Sequence, residues 1–225
     1  MGKIIRLPII FFIAFAAVGC SAIGTAVSHH RLETETLMSN SMFLSPDANQ
    51  VPPTIFVMIT NTSAYPKFKI DSSLINKLKE KGYQITSNSR RASYVLQVNI
   101  LQVGRNSETA AKEMMSSGYG GSLQGIASGV AIAAEGGGDI VIGGLAGGVS
   151  TTVADNFIKN VTYSVISDVK LVQNFNNEPS ITNKTRVLST ANKVNLDFYS
   201  SQESLETGLV NSLSGIFINR NSCKE

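Results

Sequence analysis

The side chains able to do chemistry are few in this sequence. The two histidines, His29 and His30, are adjacent and have no cysteine within metal-ligand spacing, so they lack the donor set of a zinc site. Neither has a G-x-S-x-G serine nearby to build a hydrolase triad. Glu33 and Glu35 lie in a polar stretch and read as solvated carboxylates rather than an acid–base pair. No glycine-rich segment ends in Gly-Lys-Ser/Thr, and no G-x-G-x-x-G follows a strand, which excludes a P-loop and a dinucleotide fingerprint. Arg90-Arg91 with the Lys77–Lys81 cluster is the one basic patch, and an ordinary wet face explains it more simply than a phosphate ligand. The formal charge of +3 falls to +1 when residues 1–19, carrying Lys3 and Arg6, are set aside. With no Trp and 7% aromatics, the chain offers neither the field nor the stacking surface of a nucleic-acid binder. No metal, cofactor or enzymatic activity is expected. What remains is Cys20 and Cys223.

Cys20 stands at the end of an address. Met1–Arg6 is short and positive, Leu7–Val18 is a 12-residue apolar run, and small residues precede the cysteine. That order describes a secretory signal, too short to span a bilayer comfortably. Ala17-Val18-Gly19-Cys20 resembles the lipobox of bacterial lipoproteins, with Ala17 in place of the more usual leucine. The alternative is an ordinary cleaved signal with an incidental cysteine. The resemblance implies cleavage between Gly19 and Cys20, with diacylglycerol and an N-acyl chain on Cys20. Each buried acyl methylene contributes about 0.8 kcal/mol, so several chains anchor the protein stably. Ser21, where Asp would favour the inner membrane, points to the outer one. Cys223 is then the last thiol and has no intramolecular partner.

The rest of the chain must position whatever this anchor carries. Hydrophobic residues make up 43% and charged ones 16%, enough for a buried core. Residues 20–50 read as a lipidated arm with one short strand. Residues 51–117 read as the first part of an α/β domain. A strand is expected at Thr54–Thr60 after Pro52-Pro53. A helix follows, capped by Asp71 or Ser72, with Leu74, Ile75 and Leu78 inward, Lys77, Lys79 and Lys81 in water, and Gly82 as a left-handed stop. Short and long strands are expected at Tyr83–Thr86 and Ser93–Val103; in the latter, Tyr94, Leu96, Val98 and Ile100 alternate with polar residues. Residues 155–225 read as the second part: a strand at Asn160–Gln173, a polar loop at 174–184, and an antiparallel strand at Thr185–Tyr199. The final helix has Ser200 and Glu203 as a capping box and Leu205, Leu209 and Leu213 as its stripe. The fold class is α/β (α+β): a small mixed sheet packed with helices.

Residues 118–154 have another character. Gly118–Gly148 holds 12 of the chain's 19 glycines, and its only charges are Glu135 and Asp139 around Gly136-Gly137-Gly138. Gly121, Gly125, Gly129 and Ala133 recur every four residues, as do Ile140, Gly144, Gly148 and Thr152, so each set would form one small-residue ridge on a helix. Each glycine weakens a helix in water by about 1 kcal/mol relative to Ala. A helical hairpin inserted in the outer membrane makes sense of so many; a flexible loop or a glycine zipper in a soluble core is the plainer alternative. Copies would have to associate to cover its polar backbone, so a homo-oligomer is expected.

The segments RLETETLMSNSMFLSP (31–46), GYGGSLQGIASGVAI (118–132), VADNFIKNVTYSVISDVKL (153–171) and TRVLSTANKVNLDF (185–198) resemble the TraT family, in order along nearly the whole mature chain. The chain departs from the family in a shorter 174–184 loop and in the tail bearing Cys223. The resemblance implies a lipid-anchored, surface-exposed outer-membrane lipoprotein that forms multimers and has no enzymatic activity. It implies surface exclusion in conjugation, in which redundant mating-pair stabilisation is reduced, and complement resistance in some members. A donor-cell pilus or mating-apparatus component would be its partner. The rival reading is an outer-membrane lipoprotein serving as a secretion or assembly factor or pore component.

Overall fold

The computed structural model describes residues 31–121, 123, 160–175 and 179–221. Cys20, Gly19, His29, His30, Cys223 and the ridge residues Gly125, Gly129, Ala133, Gly144 and Gly148 lie outside the described residues, as does most of the expected hairpin.

One six-stranded mixed sheet organises the described chain. Its strands are β1 (Glu33–Met38), β2 (Thr54–Asn61), β3 (Gln84–Ile85), β4 (Tyr94–Arg105), β5 (Asn160–Gln173) and β6 (Ile181–Val194). The spatial order is β1-β6-β5-β4-β2-β3. The β1/β6, β5/β6 and β4/β5 pairs are antiparallel, and β2 runs parallel to both β3 and β4. Helix α1 (Asp71–Glu80) supplies the crossover that a parallel β2–β3 pair requires. It packs beside α3 (Phe198–Gly215) on one face of the sheet, and α2 (Glu108–Ser116) lies on the other.

The core under α1 and α3 follows from alternation. Tyr94, Leu96, Val98 and Ile100 point one way along β4 and meet Val165, Val169 and Leu171 of β5; all are buried. Leu74 and Leu78 of α1 and Leu205, Leu209 and Leu213 of α3 close over them, as the helical periods indicate. A β-bulge between Ile100 and Gln102 flips the parity, so that Val103 is the next inward residue of β4. The rings of Tyr83, Tyr94 and Phe217 meet edge to face at 5.2–5.9 Å and seal one end of this core.

Several local expectations change. No side chain caps α1: its N-cap is Ile70, and Asp71 is the first helical residue, where its charge complements the positive end of the helix. Gly82 is the left-handed stop, at φ +87. Lys81 is only partly exposed to water. Its Nζ donates to the carbonyls of Ser214 (2.7 Å) and Phe217 (2.8 Å), satisfying the last turn of α3, and burial beside Lys77 lowers its pKa. The cap of α3 is Asp197, not Ser200: its carboxylate accepts from the Ser200 N–H at 2.9 Å and from Ser200 Oγ, which holds its pKa below the ordinary value. Strand β6 begins four residues earlier than its apolar pattern, at Ile181, because the ladder to β5 continues through polar Thr182, Asn183 and Lys184. Helix α2 has no counterpart in the sequence reading. Its signal is Ser107, whose hydroxyl accepts from the Ala110 N–H at 3.1 Å ahead of a run of good helix formers.

Candidate functional site: an arginine clamp at the root of the glycine-rich segment

The second face of the sheet has a smaller core. Ala111, Met114 and Met115 of α2 pack on Ile166 and Leu188, with Leu37, Leu101 and Leu123 at the margin. Next to this cluster lies the largest fully buried side chain of the described protein, Arg186.

The β5/β6 register explains its position. Asp168 and Arg186 are directly opposed, so their side chains rise on the same face as neighbours. Arg186 Nε donates to Asp168 Oδ1 at 2.8 Å and Nη2 to Oδ2 at 3.2 Å, a bidentate pair with Arg186 wholly buried and Asp168 13% exposed. The other donors reach across to the chain leaving α2. Nη1 meets the Met114 carbonyl at 3.1 Å and Ser117 Oγ at 2.5 Å, and Nη2 meets the Gly121 carbonyl at 2.9 Å. In return the Gly120 N–H donates to Asp168 Oδ2 at 2.8 Å. Lys184 Nζ sits 5.2 Å above the centre of the Tyr119 ring, adding a cation–π contact.

A guanidinium has five N–H donors, and here every one has a partner within the protein. None remains for a ligand. The arrangement therefore works as a clamp, fixing Ser117–Gly121, where the glycine-rich segment departs, to the middle of the sheet. The segment's other end behaves differently: Asn160 is the first residue of β5 and continues a strand. The two departure points are about 26 Å apart, from eight residues of β5 at roughly 3.3 Å each.

Gly121, the one ridge residue within the described chain, is not helical. Gly118 at φ +66 and Gly120 at φ +70 precede it, and left-handed residues interrupt a right-handed helix. No helix of the described residues is long and apolar enough to cross a membrane. Sequence reasoning missed the clamp. Its signal was present: aligning Asn160–Gln173 with an antiparallel partner starting at Ile181 pairs Asp168 with Arg186, but a strand started at Thr185 hides that register.

Elsewhere the described residues offer little chemistry. They contain no cluster of His, Cys, Asp or Glu able to hold a metal. An open polar cleft of about 260 Å³ between α1 and α3 is lined by Ser73, Asn76, Lys77, Glu80, Glu206 and Asn211 among others. Ser73 Oγ donates to Glu206 Oε1 at 2.5 Å, which bridges the helices. Arg90 and Arg91 are exposed, as a wet face requires, whereas Lys81 has left the patch for the end of α3. Glu35 lies 3.8 Å from Lys112, whose Nζ also meets Glu108 at 2.6 Å, so this carboxylate ties β1 to α2.

Fold and clamp together define a class: a mixed α/β protein in which the largest fully buried side chain among the described residues, Arg186, holds its own chain. The chain belongs to the TraT family, described as enterobacterial TraT complement resistance protein, which matches residues 31–183. A TraT complement resistance protein of Escherichia coli is 26% identical over 242 residues, covering 95% of this chain and 98% of the relative. Another, from Escherichia coli K12, is 28% identical over 229 residues, covering 89% and 93%. One from Wigglesworthia glossinidia brevipalpis is 25% identical over 238 residues, covering 94% and 96%. The name these relatives share is that of a complement-resistance protein and of no enzyme.

Proposed function

We propose that this chain is an outer-membrane lipoprotein, anchored through acylated Cys20 and exposed at the cell surface, that hinders complement attack and excludes redundant mating. It acts as a non-enzymatic homo-oligomer, with membrane lipid as its support and a donor-cell pilus or mating component as the surface it denies. The observation that carries the reading is the family match, extended by relatives aligned over nearly the full length of both chains. The lipobox-like Ala17–Cys20 supports it by supplying an anchor.

The test uses a serum-sensitive, plasmid-free strain expressing the wild-type chain or Cys20→Ala. Survival in active serum is compared with heat-inactivated serum, and transconjugants are counted in parallel matings. Wild type is expected to raise survival and lower transconjugant number, and Cys20→Ala to do neither. If neither readout moves with wild-type protein in the outer membrane, the reading fails. If Cys20→Ala performs as well as wild type, the lipid anchor is not part of the function.

A further inference from the structure

At one end of the sheet, Glu33 of β1 faces Asn192 of β6, Asn192 faces Thr162 of β5, and Tyr163 faces Arg105 of β4. The chain enters the fold here, at residues 31–33, and the glycine-rich segment rejoins it here at Asn160. The start of α3 is at the same end. Phe198 is buried and stacks edge to face with Tyr65 (4.8 Å) and Tyr163 (5.5 Å). The next residue, Tyr199, is 74% exposed, and Leu32 is 39% exposed. Arg31 and Lys193 are exposed beside them. The carboxylates Glu33 and Asp197 are exposed there too, so the rim mixes both signs of charge around exposed apolar and aromatic side chains on an aromatic base. Such amphipathic rings suit the headgroup layer of a bilayer, where one part stays dry and one part wet.

Exposure alone does not choose this end. Phe43 is 76% exposed and Ile181 42% exposed at the opposite end, where Gln173 Nε2 donates to the Phe43 carbonyl. Lengths decide between them. The eleven residues from Cys20 to Arg31 reach at most about 40 Å when fully extended. The fourteen residues of β5 separate the two ends by about 45 Å. With Cys20 held in lipid, the tether is too short for the Phe43 end to face the membrane while Arg31 stands a full strand length above it.

Resting on the lipid-anchor reading, we infer that the protein stands end-on, with the Leu32–Tyr199 rim seated in the lipid headgroup layer and the Phe43–Ile181 end farthest from the membrane.

The absence of tryptophan makes this directly measurable. Full-length lipidated Tyr199→Trp and Phe43→Trp proteins, both changed at exposed aromatic positions, are reconstituted into phosphatidylcholine vesicles with and without brominated acyl chains. Trp at 199 is expected to emit at shorter wavelength in vesicles than in buffer and to be dimmer in brominated than in unbrominated vesicles, since a Trp ring at the headgroup level lies near the acyl chains. Trp at 43 is expected to do neither. Quenching at 43 alone, or at both positions, overturns the end-on placement. A blue shift at 199 without quenching marks contact with a second copy and also overturns it. Flotation separates the two levels of failure: protein that floats with vesicles but shows no quenching refutes the rim alone, whereas protein that does not float refutes the anchor, and the rim falls with it.

Discussion

The two faces of the sheet are held by different physics. Under α1 and α3, stability comes from area: five leucines close over β4 and β5, and an aromatic trio seals one end. Under α2 the apolar cluster is small, and one arginine makes five hydrogen bonds. A broad apolar face fixes where helices lie but fixes a connecting segment poorly. The clamp does the reverse, pinning the carbonyl of Gly121 and the amide of Gly120 at chosen points. The side of the sheet from which the glycine-rich segment departs is thus held by direction-specific bonds rather than by area.

That contrast can be broken first at its strongest points. Phe217→Ala removes one ring of the aromatic trio, and with it two of the three edge-to-face contacts, and is expected to cost about 3–5 kcal/mol, read as a lowered denaturation midpoint for the whole domain. Arg186→Met is expected to cost a similar ~3–5 kcal/mol, but for another reason: it strands the Asp168 charge in a mostly buried site. The double variant Asp168→Leu/Arg186→Met separates the two roles. It should recover most of the global stability, since apolar replacements of a buried pair are often neutral. The Gly120 amide should still lose its protection from hydrogen exchange, because its acceptor is gone. If that amide stays protected, the clamp does not hold the departing chain.

Smaller changes sharpen the comparison. Ser107→Ala removes the cap of α2 and should cost about 1 kcal/mol, seen as faster exchange within Glu108–Ser116 and none within α3. Asp197→Asn tests the corresponding cap on the other face and should change stability at neutral pH by only a few tenths of a kcal/mol, since Asn caps almost as well. Its signature lies in acid. Hydrogen bonds from Ser200 depress the Asp197 pKa in the folded state, so its contribution is complete above the unfolded value and is lost as pH falls through the folded one. The variant's stability should therefore fall less steeply than wild type below the ordinary carboxylate range.

The sequence made the broad face legible because period is a strong signal. Alternation along β4 and the leucine stripe of α3 each marked buried residues correctly, and Gly82 marked the end of α1. The clamped face was less legible. Helix α2 is only nine residues long and follows β4 after two residues, so its few apolar positions show little periodicity. Arg186 looks like a surface charge until the register sets Asp168 opposite it, and register depends on a strand start that polar Thr182–Lys184 conceal. Lys81 misled for a related reason: its helix position faces outward, but the end of α3 arrives there from far along the chain. Side chains defined by long-range partners leave little trace in local pattern.

Strand β1 has a mechanical consequence. Its six residues pair antiparallel with β6, from Glu33 opposite Asn192 to Met38 opposite Val187, and Ser39 extends the ladder with a bond to the Arg186 carbonyl at 2.8 Å. Tension arriving from upstream of Arg31 pulls along the axis of β1. Ladder bonds run across the strands, so the force loads them together in shear instead of opening them one by one from an end. A sheet edge threaded in this direction resists being drawn out by its own leash, and the point where it ends is the strand that carries Arg186.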